Sequence, residues 1–169
     1  MVRLLGIRSQ RLRRGAGVVA AIAVLATAAP AAAAQIRGTS GDDHLVGTAQ
    51  GDNIRALAGD DFAAGRGGID AIGGGPGNDE LHGGFGGDVI SDYAGRDAIY
   101  GEGDRDSLNL GDGADHAWAG AGRDYVVMRK DGHADVVRCG PGRDLVQYLK
   151  GRDPGDRFIG CEKVQPYSP

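Results

Sequence analysis

An aspartate recurs every nine residues through the middle of the chain, at Asp43, Asp52, Asp61, Asp70, Asp79, Asp88, Asp97, Asp106, Asp115 and Asp124. Ten hits at one short, fixed period call for a stack of equivalent units rather than a single irregular interior. The neighbouring positions keep step. Two residues after each aspartate stands an apolar or small residue: Leu45, Ile54, Ala63, Ile72, Leu81, Ile90, Ile99, Leu108, Ala117 and Val126. Two residues before it glycine is usual, at Gly41, Gly59, Gly68, Gly77, Gly86, Gly95, Gly113 and Gly122. The cleanest cycles run from Gly74 to His82 and from Gly83 to Ser91.

Glycine every few residues excludes a helix, whereas tight turns at positive φ use it at little steric cost. Each cycle therefore reads as a glycine-rich turn of six residues ending at the aspartate, then a strand of three. The middle strand residue points inward and its neighbours outward, as strand alternation requires. The chain is expected to wind turn–strand–turn–strand, two nonapeptides to the coil, as an all-β solenoid. Large apolar side chains are too sparse for a conventional core.

The acids are lopsided, 20 Asp against 3 Glu. Aspartate is a poor helix former and a short, hard-oxygen ligand. Residues 1–34 carry five arginines and no acid, so the formal charge of −4 becomes −9 over residues 35–169. That balance disfavours nucleic acid, which needs cationic patches, and favours metal cations.

The pattern G-G-x-G-x-D-x-(apolar)-x resembles the RTX, or hemolysin-type, calcium-binding repeat. The resemblance implies a right-handed parallel β-roll (β-solenoid) over residues 38–127, in which each repeat stacks on the next but one. One edge column would then be Asp43, Asp61, Asp79, Asp97 and Asp115, and the other Asp52, Asp70, Asp88, Asp106 and Asp124. Five stacked turns enclose four gaps, which sets a ceiling of eight calcium ions over the two edges. Carbonyls of the glycine loops, among them Gly74, Gly75, Gly77, Gly83, Gly84 and Gly86, would complete each shell. Calcium takes six to eight oxygens in flexible geometry, magnesium demands a tighter octahedron, and zinc prefers Cys or His. Gln50 and Asp104 depart from the family glycine before the aspartate, and Ala56, Asp92, Leu110 and Ala119 open their cycles without glycine.

Coils about 4.8 Å apart bring like charges together at a cost of roughly 3 kcal/mol per pair at an effective dielectric near 20. One inward Leu or Ile offsets about 1.5–3 kcal/mol before entropy. The chain is thus expected to be largely disordered without calcium and to fold on it.

Residues 1–34 read as a secretion signal. Five arginines precede an apolar stretch from Ala16 to Ala29 and the run Ala31 to Ala34. That stretch falls short of the roughly 20 residues of a spanning helix, so no membrane span is expected after cleavage, and the chain is expected to be extracellular. Residues 128–169 read as degenerate repeats and a cap. Cys139 and Cys161, an even pair in an exported chain, are expected to form a disulfide. Cys161 to Val164 resembles the C-terminal ends of small secreted actinobacterial calcium-binding proteins. Val136, Val137, Leu145, Val146, Phe158 and Ile159 are the expected apolar contacts of the cap, and Asp135, Asp144 and Asp153 its candidate ligands.

The histidines His44, His82, His116 and His133 share no spacing with acids or cysteines and are read as outward strand residues. Trp118, Tyr100 and Tyr125 are read as a small surface or strand contact, and Arg96, Arg105, Arg123 and Arg143, each preceding a repeat aspartate, as forming salt bridges on the outer turn. No G-x-S-x-G signature is present. The favoured function is a non-enzymatic calcium-binding protein with a structural, adhesive or buffering role, its envelope or extracellular partner unknown. A calcium-stabilised module of a secreted hydrolase or toxin, and a metal-free structural solenoid, are the alternatives.

Overall fold

The computed structural model describes residues 32–168. The predicted signal lies outside the described residues apart from its last three. No helix among the described residues is long and apolar enough to cross a membrane.

The strands are β1 (Gln35–Arg37), β2 (His44–Val46), β3 (Asn53–Arg55), β4 (Phe62–Gly67), β5 (Ala71–Pro76), β6 (Glu80–Phe85), β7 (Val89–Ala94), β8 (Ala98–Gly103), β9 (Ser107–Asn109), β10 (His116–Trp118), β11 (Tyr125–Arg129), β12 (Val136–Arg138), β13 (Leu145–Leu149), β14 (Arg157–Ile159) and β15 (Lys163–Pro166). Odd strands form one eight-stranded sheet and even strands a seven-stranded one. All pairings are parallel, and Leu81 lies between Ala63 and Ile99 of the flanking coils. Two repeats make one coil, as the period predicts, and the stack is an all-β solenoid of about seven turns.

Between the sheets runs one file of side chains from each. Leu45, Ile54, Ala63, Ile72, Leu81, Ile90, Ile99, Leu108, Ala117 and Val126 are all buried, as the repeat requires, and Val137 and Val146 continue the two files. Of the other predicted cap contacts, Phe158 packs partly against this core. Val136 and Leu145 flank inward residues and are only half-buried, and Ile159 is exposed. Strand alternation turns them away from the core.

Two local features depart from expectation. Strands β4 to β8 are six residues long rather than three, because pairing runs on into the glycine-rich turn. The second residue of these turns has positive φ even where it is not glycine, at Leu57, Arg66, Tyr93 and Glu102. The fourth is glycine in eight of the ten cycles, and Asp104, one of the two exceptions, is also at positive φ. Gly77 has φ 145°, and a Cβ there would lie 1.8 Å from the Gly59 carbonyl oxygen of the preceding coil.

Cys139 and Cys161 are joined in a disulfide that ties the coil of β12 to the final turn of the chain. With its ends 22 positions apart in the sequence, it restricts the unfolded chain by about 3 kcal/mol in the loop-entropy view. Reduction should lower unfolding stability in calcium by that amount, read from denaturant titrations with and without reductant.

Gly77→Ala should cost about 2 kcal/mol or more in the same denaturation assay. Gly41→Ala, with nothing within 4 Å of the added carbon, should change stability by less than about 0.5 kcal/mol.

Candidate calcium-binding columns

The aspartates face inward from the two edges of the roll, and one hydrogen bond holds each in line. The backbone N–H of each repeat aspartate donates to Oδ1 of the aspartate one coil further on. On the first edge this joins Asp43 to Asp61 (2.8 Å), Asp61 to Asp79 (2.9 Å), Asp79 to Asp97 (2.7 Å) and Asp97 to Asp115 (3.0 Å). On the second it joins Asp52 to Asp70 (2.6 Å), Asp70 to Asp88 (2.8 Å), Asp88 to Asp106 (2.8 Å) and Asp106 to Asp124 (2.9 Å). The ten aspartates predicted from the period thus stand in the two predicted columns, all buried.

Both columns continue past Asp124. Asp115 bonds to Asp135 and Asp135 to Asp156; Asp124 bonds to Asp144 and Asp144 to Glu162. The spacing grows to 20 and 21 residues on the first edge, and to 20 and then back to 18 on the second. Asp153 is a different element: its carboxylate accepts the N–H groups of Asp131 and Gly132, and its own N–H donates to Asp156. Asp156 and Glu162 were not singled out by the repeat. The interval of 18 from Asp144 to Glu162 was a usable signal, hidden by the change of residue type.

With Oδ1 committed, the second oxygen points into the roll. Oδ2 of Asp61, Asp70, Asp79, Asp88, Asp97, Asp106, Asp115, Asp124 and Asp144, and Oδ1 of Asp43, are buried without a hydrogen-bond partner among the described residues. A buried carboxylate oxygen without a partner costs free energy unless it is protonated or meets a cation. The donor set consists of carboxylates and backbone carbonyls, and among the described residues no histidine or cysteine joins a carboxylate cluster; hard oxygens of this kind fit calcium. Glycine at the first position of the turn makes room for them. A Cβ at Gly74 would lie 2.2 Å from Oδ2 of Asp79, and one at Gly83 2.5 Å from Oδ2 of Asp88. Gly75, Gly77, Gly84 and Gly86 lie at positive φ in the same turns. Of the six glycines, Gly74 and Gly83 lie beside orphaned oxygens, and the other four face the backbone of the preceding coil.

Burial raises the pKa of the column carboxyls from Asp61 to Asp144 and of Asp92, and neighbouring carboxylates add to it, against the lowering effect of the backbone donor. Asp79 and Asp88 are raised to about 6, Asp97, Asp106 and Asp135 to about 7, and Asp92 to about 8. Asp61, Asp70, Asp115, Asp124 and Asp144 shift the same way for the same leading reason.

The outer surface differs from expectation in part. His44 and His116 are exposed strand residues, and His133 lies in a bend. His82 is half-buried between Glu80 (3.1 Å) and Glu102 (2.9 Å). It belongs to a ring stack with Tyr100 and Trp118, at centroid spacings of 4.4 and 4.6 Å, which Arg138 covers. Because these rings face one another, they brace the neighbouring strands β6, β8 and β10. Tyr125 is not part of the stack. It sits on the opposite sheet, and its hydroxyl bonds to Gln147 at 2.5 Å. Among the described residues Arg96, Arg105, Arg123 and Arg143 form no salt bridge; Arg129 with Asp112 does, at 3.5 Å. The aspartates following those arginines turn inward, away from them.

The family model of the RTX calcium-binding nonapeptide repeat (4 copies) matches residues 37–72, 73–108 and 100–127. Neither the curated proteins nor the solved structures yield a match.

A raised carboxyl pKa means the folded state binds protons that the unfolded chain, with carboxyls near 3.8, has released. In chelator the stabilising effect is complete below about pH 4 and is lost as pH rises through 6 to 7. Circular dichroism in chelator should therefore show strand signal growing on acidification from pH 8. Excess calcium should reverse the trend, because the ion needs ionised ligands.

Proposed function

The chain belongs to the RTX calcium-binding nonapeptide repeat family, and from that premise we propose that it is a secreted, non-enzymatic protein that folds on calcium. Its work is structural, adhesive or ion-buffering, outside the cell. The observation that carries this reading is the double file of buried carboxylate oxygens without partners. A fold that takes so many acidic groups out of water needs a cation between its coils, and a calcium-rich exterior supplies one. Asp43, Asp52, Asp61, Asp70, Asp79, Asp88, Asp97, Asp106, Asp115 and Asp124 are the proposed ligands, with carbonyls of Gly74, Gly75, Gly77, Gly83, Gly84 and Gly86. Calcium supplies the positive charge that lets the carboxylates stay ionised while packed; the chain's part is to hold the oxygens in register.

Residues 1–34 fit this reading as the export signal, residues 38–127 as the calcium roll and residues 128–169 as its disulfide-linked cap. The hollow over the odd-strand sheet, about 410 Å³, is lined by Arg55, Leu57, Gly73, Ser91 and Tyr93 with others, and that lining holds no His, Cys, Asp or Glu to activate the serine.

Calorimetric titration with calcium, followed in parallel by circular dichroism, tests the reading. Uptake of several ions together with a gain of strand signal is expected. The double substitution Asp79→Ala and Asp88→Ala should remove ions from both columns and lower the melting temperature in calcium. Unchanged stoichiometry and melting in that variant would favour the metal-free solenoid.

A further inference from the structure

Position one of the turn forms an interior file of its own. Along the first edge it reads Gly38, Ala56, Gly74, Asp92, Leu110 and Met128. In the glycine turns the space is left to the column carboxylate: a Cβ at Gly38 would lie 2.6 Å from Oδ2 of Asp43. Leu110 and Met128 fill it with fully buried apolar side chains. Between these two regimes stands Asp92, with no exposed surface.

Asp92 is held rather than merely enclosed. Its Oδ1 accepts the N–H of Gly111 from the next coil at 2.6 Å, which fixes the carboxylate across the gap. Among the described residues its Oδ2 has no partner, nor does Oδ2 of Asp97 or of Asp115. One oxygen from each of these three residues lies within 4.8 Å of the others. Asp97 and Asp115 are the two column ligands of this gap, and Asp92 brings a third carboxylate where the repeat supplies glycine. The departure from the pattern at Asp92 thus adds a ligand instead of removing a site.

We propose that the gap between the coils of Asp97 and Asp115 is a three-carboxylate calcium site, the tightest in the roll and the last on its edge. The proposal rests on the calcium reading above and deepens it. Calcium affinity follows the number of charged ligands and the rigidity of the site. The Gly111 bond and the buried Leu110 beside it supply the rigidity, and Asp92 the additional charge. Beyond this gap the first edge is packed by Leu110 and Met128 in the space that the glycine turns leave open, so further ions on that edge are not expected.

Two variants separate the roles. Asp92→Gly restores the repeat residue, and Asp92→Asn keeps size and shape while removing the charge. Each purified protein is dialysed against chelator-buffered calcium over a range of free concentrations, and bound calcium is measured by elemental analysis. The wild-type chain should hold about one ion at free calcium at least about tenfold below the level that fills the remaining sites. Both variants should lose that early ion and keep the later ones. Should Asp92→Gly fail to fold, the isosteric variant alone decides. Early uptake that persists in Asp92→Asn overturns the proposal, and shows that Asp92 fills its space as a neutral carboxyl group. A wild-type isotherm without an early ion overturns it too. A wild-type chain that takes up no calcium at any concentration overturns instead the calcium reading on which the proposal rests.

Discussion

The hydrogen bond from one aspartate's backbone N–H to the next coil's Oδ1 is the contact on which the rest of the roll depends. It fixes the spacing of the coils on both edges and uses up one carboxylate oxygen of each residue. The other oxygen is thereby left in the interior, except at Asp52, where it accepts the N–H of Thr48. A neutral side chain can make a comparable rung, as on the outer turn, where Asn78 accepts the N–H of Arg96. An inner ladder of aspartates differs in leaving a charge that water cannot reach. The price is met by protons at low pH or by calcium at neutral pH.

This arrangement explains how so little apolar material holds a chain of this length. Each coil contributes one inward residue per sheet, some as small as Ala63 and Ala117. Where the turns stop being glycine-rich, the means of stabilisation change. Leu110, Ala119, Met128 and Cys139 occupy the first turn position with buried side chains, and a covalent bridge follows. The N-terminal part therefore leaves its turn space to the column carboxylates, and the C-terminal part adds conventional packing and a crosslink.

Much of this was legible in the sequence because the period is a direct image of the coil. Spacing of nine gave the inward residues, the two columns and the offset of 18 between paired residues. The rest was hidden for identifiable reasons. Strand length was underestimated because glycine signals turns, whereas Gly74 and Gly83 also lie within strands. The continuation through Asp156 was masked by longer coils, and that through Glu162 by an unexpected residue type. Asp153 kept the interval of nine from Asp144 yet serves a local turn. The arginines preceding the aspartates suggested pairing by adjacency in sequence, but alternate residues at the turn face opposite ways. The meaning of Asp92 could not be read from spacing, since a departure from glycine looks the same whether it blocks a site or completes one.

The ladder also has a direction. At every rung the donor belongs to the earlier coil and the carboxylate acceptor to the later one, from Asp43 through to Glu162. A ribosome delivers the early coils first, so each newly made turn lacks its acceptor until the following eighteen or more residues have been added. No leading segment can complete its own edge. The last acceptors, Asp156 and Glu162, flank the cysteine that closes the bridge, and the arrival of that tail completes the series.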